Sequence, residues 1–194
     1  DGVINNLDRV KVGNLFPTVT GGFSTTLGYK DFSLYARFDY ALGHTLYNDL
    51  AARSLGQYQG SFNIIDMVKD SWSETNQDTD IPKFYYADQL SKKNITRSNN
   101  GLTAVDNNSS RFYEKGDYLA LREITLTWNL PKKWINKALM SNASVYVTGQ
   151  NLFYITGYTG VSPEPAVDTT YGQGLDNGRY PTPKTVLLGL SVTF

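Results

Sequence analysis

Apolar and polar side chains alternate along five stretches of the chain, and a period of two marks a β-strand with one apolar face. The longest such repeat starts at Phe32. Phe32, Leu34, Ala36, Phe38, Tyr40 and Leu42 point one way, and Ser33, Tyr35, Arg37, Asp39, Ala41 and Gly43 the other. It predicts a strand over about 32–46, longer than the roughly five or six residues of an ordinary soluble strand. A strand over about 18–29 precedes it, with Val19, Phe23, Leu27 and Tyr29 opposite Thr18, Thr20, Gly22, Ser24, Thr26 and Gly28, and Lys30-Asp31 is left as a tight turn. Over about 118–130, Ile124, Leu126, Trp128 and Leu130 oppose Glu123, Thr125, Thr127 and Asn129 until Pro131 ends the run. Over about 143–154, Val145, Val147 and Gly149 oppose Ser144, Tyr146, Thr148 and Gln150. Over about 184–194, Val186, Leu188, Leu190, Val192 and Phe194 oppose Thr185, Leu187, Gly189, Ser191 and Thr193. Lys132–Leu139 reads as one or two helical turns, and the spacing of Phe62, Ile65, Val68 and Trp72 suits a short helix.

The links between these strands alternate in length. Lys30-Asp31 and Pro131–Asn142 are short, whereas about 47–116 and 155–182 are long. Loops of that length argue against a soluble domain, but short turns on one side and long extracellular loops on the other are normal for a transmembrane antiparallel β-barrel. The last strand points the same way. A soluble terminus usually frays into water, while a closing barrel strand needs an apolar outer face and interfacial aromatics, which Phe194 supplies. With Phe194 at the periplasmic end, the strands run alternately down and up and residues 1–16 begin outside. The plain alternative is a soluble β-sandwich. Five strands cannot close a membrane barrel, which needs about eight or more, and an open edge in lipid leaves backbone groups unpaired at several kcal/mol each. The expected fold is therefore all-β, the C-terminal five strands or so of a larger barrel.

Composition changes this picture little. Lys+Arg and Asp+Glu balance at 18 each, so no basic excess calls for nucleic acid. No run of about 18 apolar residues exists, which excludes a transmembrane helix. The 14 Tyr, 9 Phe, 3 Trp and 17 Gly suit β-structure with aromatic girdles, and the absence of cysteine excludes disulfides and thiolate metal sites. Residue 1 is Asp within a polar segment, so no signal peptide is expected there. His44 is the single histidine, leaving a catalytic triad or zinc cluster without partners. No Gly-rich phosphate loop precedes a helix. The chain is expected not to be an enzyme. Asn-X-Ser/Thr triplets at Asn94, Asn107, Asn108 and Asn142 carry little weight, since Asn142 opens an expected membrane strand.

Several longer blocks resemble one family. They are Asp1–Arg9, Gly13-Asn14, Pro17, Gly22–Leu34, Ser110–Leu126 with its Gly-Asp-Tyr-Leu and Ile-Thr-Leu segments, Leu130-Pro131, Val145–Phe153 with Gly-Gln-Asn-Leu-Phe, Tyr158-Thr-Gly160, Pro163-Glu164 and Asp176–Pro181. Together, in this order, they are similar to the SusC/RagA family of TonB-linked (TonB-dependent) outer-membrane proteins. About Asn48 to Asn108 matches only loosely, where substrate preference is expected to vary. The resemblance implies a parent barrel of about 22 strands with an N-terminal plug, in the outer membrane of a Gram-negative bacterium. It implies import of glycan oligosaccharides or peptides, coupling to the TonB complex through a region absent here, and a SusD-like surface lipoprotein as lid. The barrel assembly machinery would read the terminal strand, Val186, Leu188, Leu190, Val192 and Phe194.

Within that frame Arg37, Asp39, Glu123, Asn129 and Gln150 are expected to face the lumen or plug, as ordinary wetted polar wall. Loop aromatics offer stacking faces for a sugar ring or side chain; Tyr85, Tyr86, Tyr158 and Tyr171 are the candidates beside Phe84, Tyr113 and Tyr180, although for any single tyrosine loop packing or a place in the interface girdle is the preferred reading. Asp1–Asp8 also resembles the second half of an EF-hand loop, with oxygen from Asp1, Val3, Asn5 and Asp8 for calcium; a polar turn is the simpler reading, and no other cofactor is implied. Two further classes remain open: a siderophore receptor or porin barrel, and a soluble β-rich carbohydrate-binding module.

Overall fold

The computed structural model describes residues 7, 9–52, 54, 66–81, 83, 110–164, 174–178 and 180–194. Among them the strands, in chain order, are β1 (Val19–Tyr29), β2 (Phe32–Leu42), β3 (Thr45–Asn48), β4 (Tyr113–Lys115), β5 (Tyr118–Asn129), β6 (Asn142–Thr156), β7 (Leu175–Asp176) and β8 (Thr185–Thr193). Helix α1 (Asp49–Ala52) follows β3, and α2 (Lys132–Ile135) follows β5.

β1, β2, β5, β6 and β8 form one antiparallel meander in that spatial order. Its register sets apolar against apolar. Phe23 faces Phe38, Leu27 faces Leu34, Leu34 faces Leu126, Leu126 faces Val147 and Val147 faces Leu188. A one-residue slip would turn every one of these side chains to the opposite face. The hairpin β1–β2 closes through two residues, with Lys30 in the left-handed region at φ 52°, as a two-residue turn requires.

The second strand stops four residues short of its expected end. Gly43 has φ 84°, and a Cβ there would collide with the Thr18 hydroxyl. Asp117 Oδ1 accepts the Gly43 amide at 2.6 Å, so the ladder ends on a side chain. The chain then enters a second, three-stranded sheet of order β4-β3-β7, in which β3 and β7 are parallel. The link after β5 is α2 plus a 3-10 turn over Asn136–Ala138, ending at Leu139 with φ 56°. A 3-10 helix over Asp66–Asp70 carries Val68 of the expected short helix; Phe62 and Ile65 lie outside the described residues.

The chain divides into two units, one of residues 1–16, 44–116 and 158–179, the other of 17–43, 117–157 and 180–194. The second is the meander. The chain leaves or enters it always at the same end, where β1, β5 and β8 begin and β2 and β6 end. The opposite end carries the turn Lys30-Asp31, the α2 link and the last residues of β8.

The hydrophobic cluster of buried residues, Tyr47, Ala52, Ile81 and Phe112 with Val68, Tyr113 and Leu175 against it, belongs entirely to the first unit. Apart from Leu121 the buried apolar residues of the meander strands are small, Ala36, Ala41, Ala120 and Ala143, and many of its large apolar side chains stand open: Val186 is 71% exposed, Leu188 81%, Leu190 65% and Leu126 44%. Covering a Leu or Phe is worth about 1.5–3 kcal/mol each, and a patch of this extent is foreign to a soluble monomer. The strands of 9 to 15 residues have the length to cross a bilayer when tilted. No helix among the described residues is long and apolar enough to do so.

The two faces should therefore respond oppositely to charge. In the intact, bilayer-reconstituted protein, Leu126→Arg is expected to lower the unfolding free energy by about 2–4 kcal/mol. Thr26→Arg on the polar face, opposite the uncharged Tyr35, should change it by less than ~0.5 kcal/mol. Denaturant titration measures both, and equal effects would count against a lipid-facing surface.

Candidate functional site

The polar face of the meander is organised by one irregularity. Strict alternation along β5 places Arg122 in phase with Ile124, Leu126 and Trp128. The register shifts instead: Glu123 pairs with Arg37, but Leu121 pairs with Phe38, so Arg122 is the extra residue of a bulge. On β6, Asn151 at φ 51° and Leu152 lie opposite it. A bulge re-aims a side chain, and here it puts a guanidinium on the polar side. Arg122 Nε donates to Asp39 Oδ2 at 3.0 Å and Nη1 to the Tyr154 hydroxyl at 3.3 Å. The cation lies 5.8 Å from the Tyr154 ring centroid, and Tyr118 meets that ring edge-on at 5.7 Å.

One rung away Arg37, Glu123, Gln150 and Thr185 stand in register across four strands. Thr125 donates to Glu123 Oε1 at 3.3 Å and shares a 2.8 Å hydrogen bond with Thr148. Asn129 lies on the same face, opposite Ser144 and three rungs from Glu123. Arg37, Asp39, Glu123, Asn129 and Gln150 are thus all on the polar face, while Val186, Leu188, Leu190 and Val192 are on the apolar one. Gly189 lets the ring of Tyr146 lie flat across β8, where a Cβ would collide with it.

The loop unit is stitched by two carboxylates. Glu114 accepts from Asn48 Nδ2 at 3.0 Å, from the Thr159 amide at 2.9 Å and from its hydroxyl at 2.8 Å. Asn48 also caps α1, its Oδ1 taking the Ala51 amide at 3.0 Å. Asp176 accepts the Tyr158 hydroxyl at 2.8 Å and the amides of Val161 at 3.2 Å and Gly178 at 3.0 Å. His44 Nε2 is 3.0 Å from the Pro163 carbonyl oxygen. Arg111 bonds Asp80 through its carbonyl and its carboxylate. These bonds tie residues 158–164 and 174–178 to β3 and β4, around the Tyr47–Phe112 cluster.

Tyr158 corrects the sequence reading. It is 7% exposed and its hydroxyl is committed to Asp176, so it offers no stacking face. Its pKa is driven well above the ordinary tyrosine value, first by burial, then by the hydrogen bond to Asp176 and the negative charge of Asp176 and Glu114. Burial also raises Tyr113, which tilts against Tyr47 at 4.8 Å. Tyr180 is fully exposed. Phe84, Tyr85, Tyr86 and Tyr171 lie outside the described residues, as do the calcium candidates Asp1, Val3, Asn5 and Asp8. No group of three His, Cys, Asp or Glu able to hold a metal occurs among the described residues. Sequence reasoning missed Arg122, Glu114 and Asp176. The signals were an arginine in an apolar phase and the Asp176-Asn-Gly178 triplet of a side-chain-capped turn, where Gly178 has φ 79°.

No protein-family model matches the chain. Its full length is similar to TonB-dependent receptor P26 of Formosa agariphila, 32% identical over 201 residues, which are 100% of this chain and 19% of that receptor. Over 44% of its length it is 33% identical to TonB-dependent receptor SusC of Bacteroides thetaiotaomicron, of which it covers 8%. The solved structure of the RagAB peptide transporter superposes on 93% of this chain and 17% of the transporter chain, with 26% identity and a TM-score of 0.69. The chain spans about a fifth of the length of P26. A meander with one open apolar face and these structural neighbours is part of the wall of a TonB-dependent transporter barrel. The chain belongs to the SusC/RagA family of TonB-dependent receptors.

The Tyr158–Asp176 bond gives the loop unit a pH dependence of definite sign. A tyrosine whose pKa is raised on folding holds its proton more tightly in the folded chain. Its stabilisation is complete below the unfolded value of 10.0 and is lost progressively as the pH climbs above it. Tyr158→Phe is expected to cost about 1–3 kcal/mol locally and to flatten that alkaline loss. Hydrogen exchange at the Val161 amide reads both, and an unchanged exchange rate would rule the bond out as a fastener.

Proposed function

We propose that this chain supplies barrel wall and outer loops to an outer-membrane importer of oligomeric nutrients, glycan oligosaccharides or peptides. Uptake is driven by the TonB complex and a SusD-like lipoprotein covers the extracellular mouth. The observation that carries this reading is the meander itself: one face polar, one face apolar and open, on strands of membrane-crossing length. The neighbours support the cargo class, since the RagAB assembly is named a peptide importer and transporter.

The parts divide the work. The apolar face seats the wall in hydrocarbon. The polar face, with its Asp39–Arg122–Tyr154 cluster and its Arg37–Glu123–Gln150 rung, lines the water-filled side, where a plug has donors and acceptors to meet. The loop unit, with its own apolar cluster and the Glu114 and Asp176 fasteners, holds a fixed shape at the mouth, as a surface must if a lid is to close on it. The strand Val186–Thr193 with Phe194 serves the barrel assembly machinery. The siderophore-receptor, porin and soluble-module alternatives have no observation in their favour here.

The test uses the intact receptor in its own cells, fed a mixed pool of oligopeptides and oligosaccharides. Depletion of one class from the medium is expected to require both the receptor gene and a working TonB complex, falling at least tenfold when either is removed. Uptake that persists without TonB would point to a passive pore, and a receptor recovered in the soluble fraction without detergent would end the membrane reading.

A further inference from the structure

At the hairpin end of the meander the apolar face finishes in an aromatic ladder. Phe32 stacks on Trp128 with centroids 6.1 Å apart and planes 11° apart, and Trp134 of α2 meets Trp128 edge-on at 5.9 Å. Ile135 is buried and anchors the helix, leaving Trp134 56% exposed. The same end carries an excess of lysine over the single acidic side chain of its turn, Asp31. The Asn129 amide donates to the Asp31 carbonyl at 2.8 Å, which sets the Lys30-Asp31 turn beside the α2 link. Lys30 Nζ lies 5.3 Å from the Tyr29 ring centroid. From Leu130 to Ser144 the chain has three lysines and no Asp or Glu. Lys132 donates to the Ser141 carbonyl at 3.0 Å, while Lys133 and Lys137 are exposed.

Tryptophan and tyrosine mark the depth at which hydrocarbon gives way to headgroups. Lysine stems run along apolar surface and carry their ammonium groups just beyond it, at the level of the phosphates. We propose that this end of the wall is a docking surface for an anionic phospholipid headgroup, held by Lys30, Lys133 and Lys137 around the exposed Trp134. A lipid suits the surface because the ladder is continuous with the face that meets the acyl chains, and because the positive excess complements a phosphodiester. The inference rests on the membrane-wall reading above.

The test reconstitutes the intact receptor in nanodiscs of phosphatidylcholine doped with spin-labelled phosphatidylglycerol or spin-labelled phosphatidylcholine, and reads the motionally restricted fraction of each label. The anionic label is expected to be enriched at the protein, with the preference lost in about 1 M salt, where screening acts within ~3 Å. K30Q/K133Q/K137Q should weaken that preference on the order of tenfold, and K30R/K133R/K137R should keep it. Equal restriction of the two labels in the wild type would overturn the proposal, as would a preference unmoved in the Gln variant. A receptor that does not enter the bilayer would sink the wall reading together with this one, whereas one that enters without discriminating sinks this one alone.

Discussion

Backbone amides and carbonyls inside hydrocarbon must bond to one another, because no water is there to take them. That constraint governs the meander. Its interior strands β2, β5 and β6 have partners on both sides, and its two edges, β1 and β8, are strands that a larger barrel pairs. It also explains why the apolar residues are outside. In a soluble domain the large side chains of a sheet converge on a core; here Leu126, Leu188 and Leu190 of the sheet stand exposed. The solvent they are built for is lipid, and the protein core is elsewhere, in the loops.

The loops are accordingly the more protein-like part of this chain. They have an aromatic and aliphatic cluster, a small mixed sheet and two carboxylates, Glu114 and Asp176, held in networks of amides and hydroxyls. Loops of this length stay mobile unless ordered by such contacts, because fixing each residue costs about 1–2 kcal/mol of conformational entropy. Asp176 offsets part of that cost by gathering three donors from three places in the chain, Tyr158, Val161 and Gly178. Fasteners of this kind hold the loop unit in one shape.

The bulge at Arg122 joins the two themes. An arginine directed at acyl chains would be among the most costly residues a barrel could carry. One extra residue in β5 turns it inward, where Asp39 and Tyr154 receive it. The same shift lets Leu119 and Leu121 continue the apolar side beside Tyr40 and Phe38. A local break in the ladder thus keeps both faces consistent over the full height of the sheet.

The dyad repeats by themselves determined which residues share a face, because side-chain direction in a strand depends only on parity along the chain; the alternation of short and long links pointed to the antiparallel meander and the membrane. Parity fails where the backbone departs from the ideal, so the tertiary structure decided the rest. Gly43 ended β2 because Thr18 and Asp117, distant in sequence, left no room or ladder for it to continue. Arg122 changed face through a bulge that only the neighbouring strands define. Tyr158 became a buried fastener, and not an exposed ring, because Asp176 lies 18 residues away along the chain and 2.8 Å away in space. No local pattern encodes a contact of that kind: the sequence carries the chemistry of each partner, and the fold alone brings the two together.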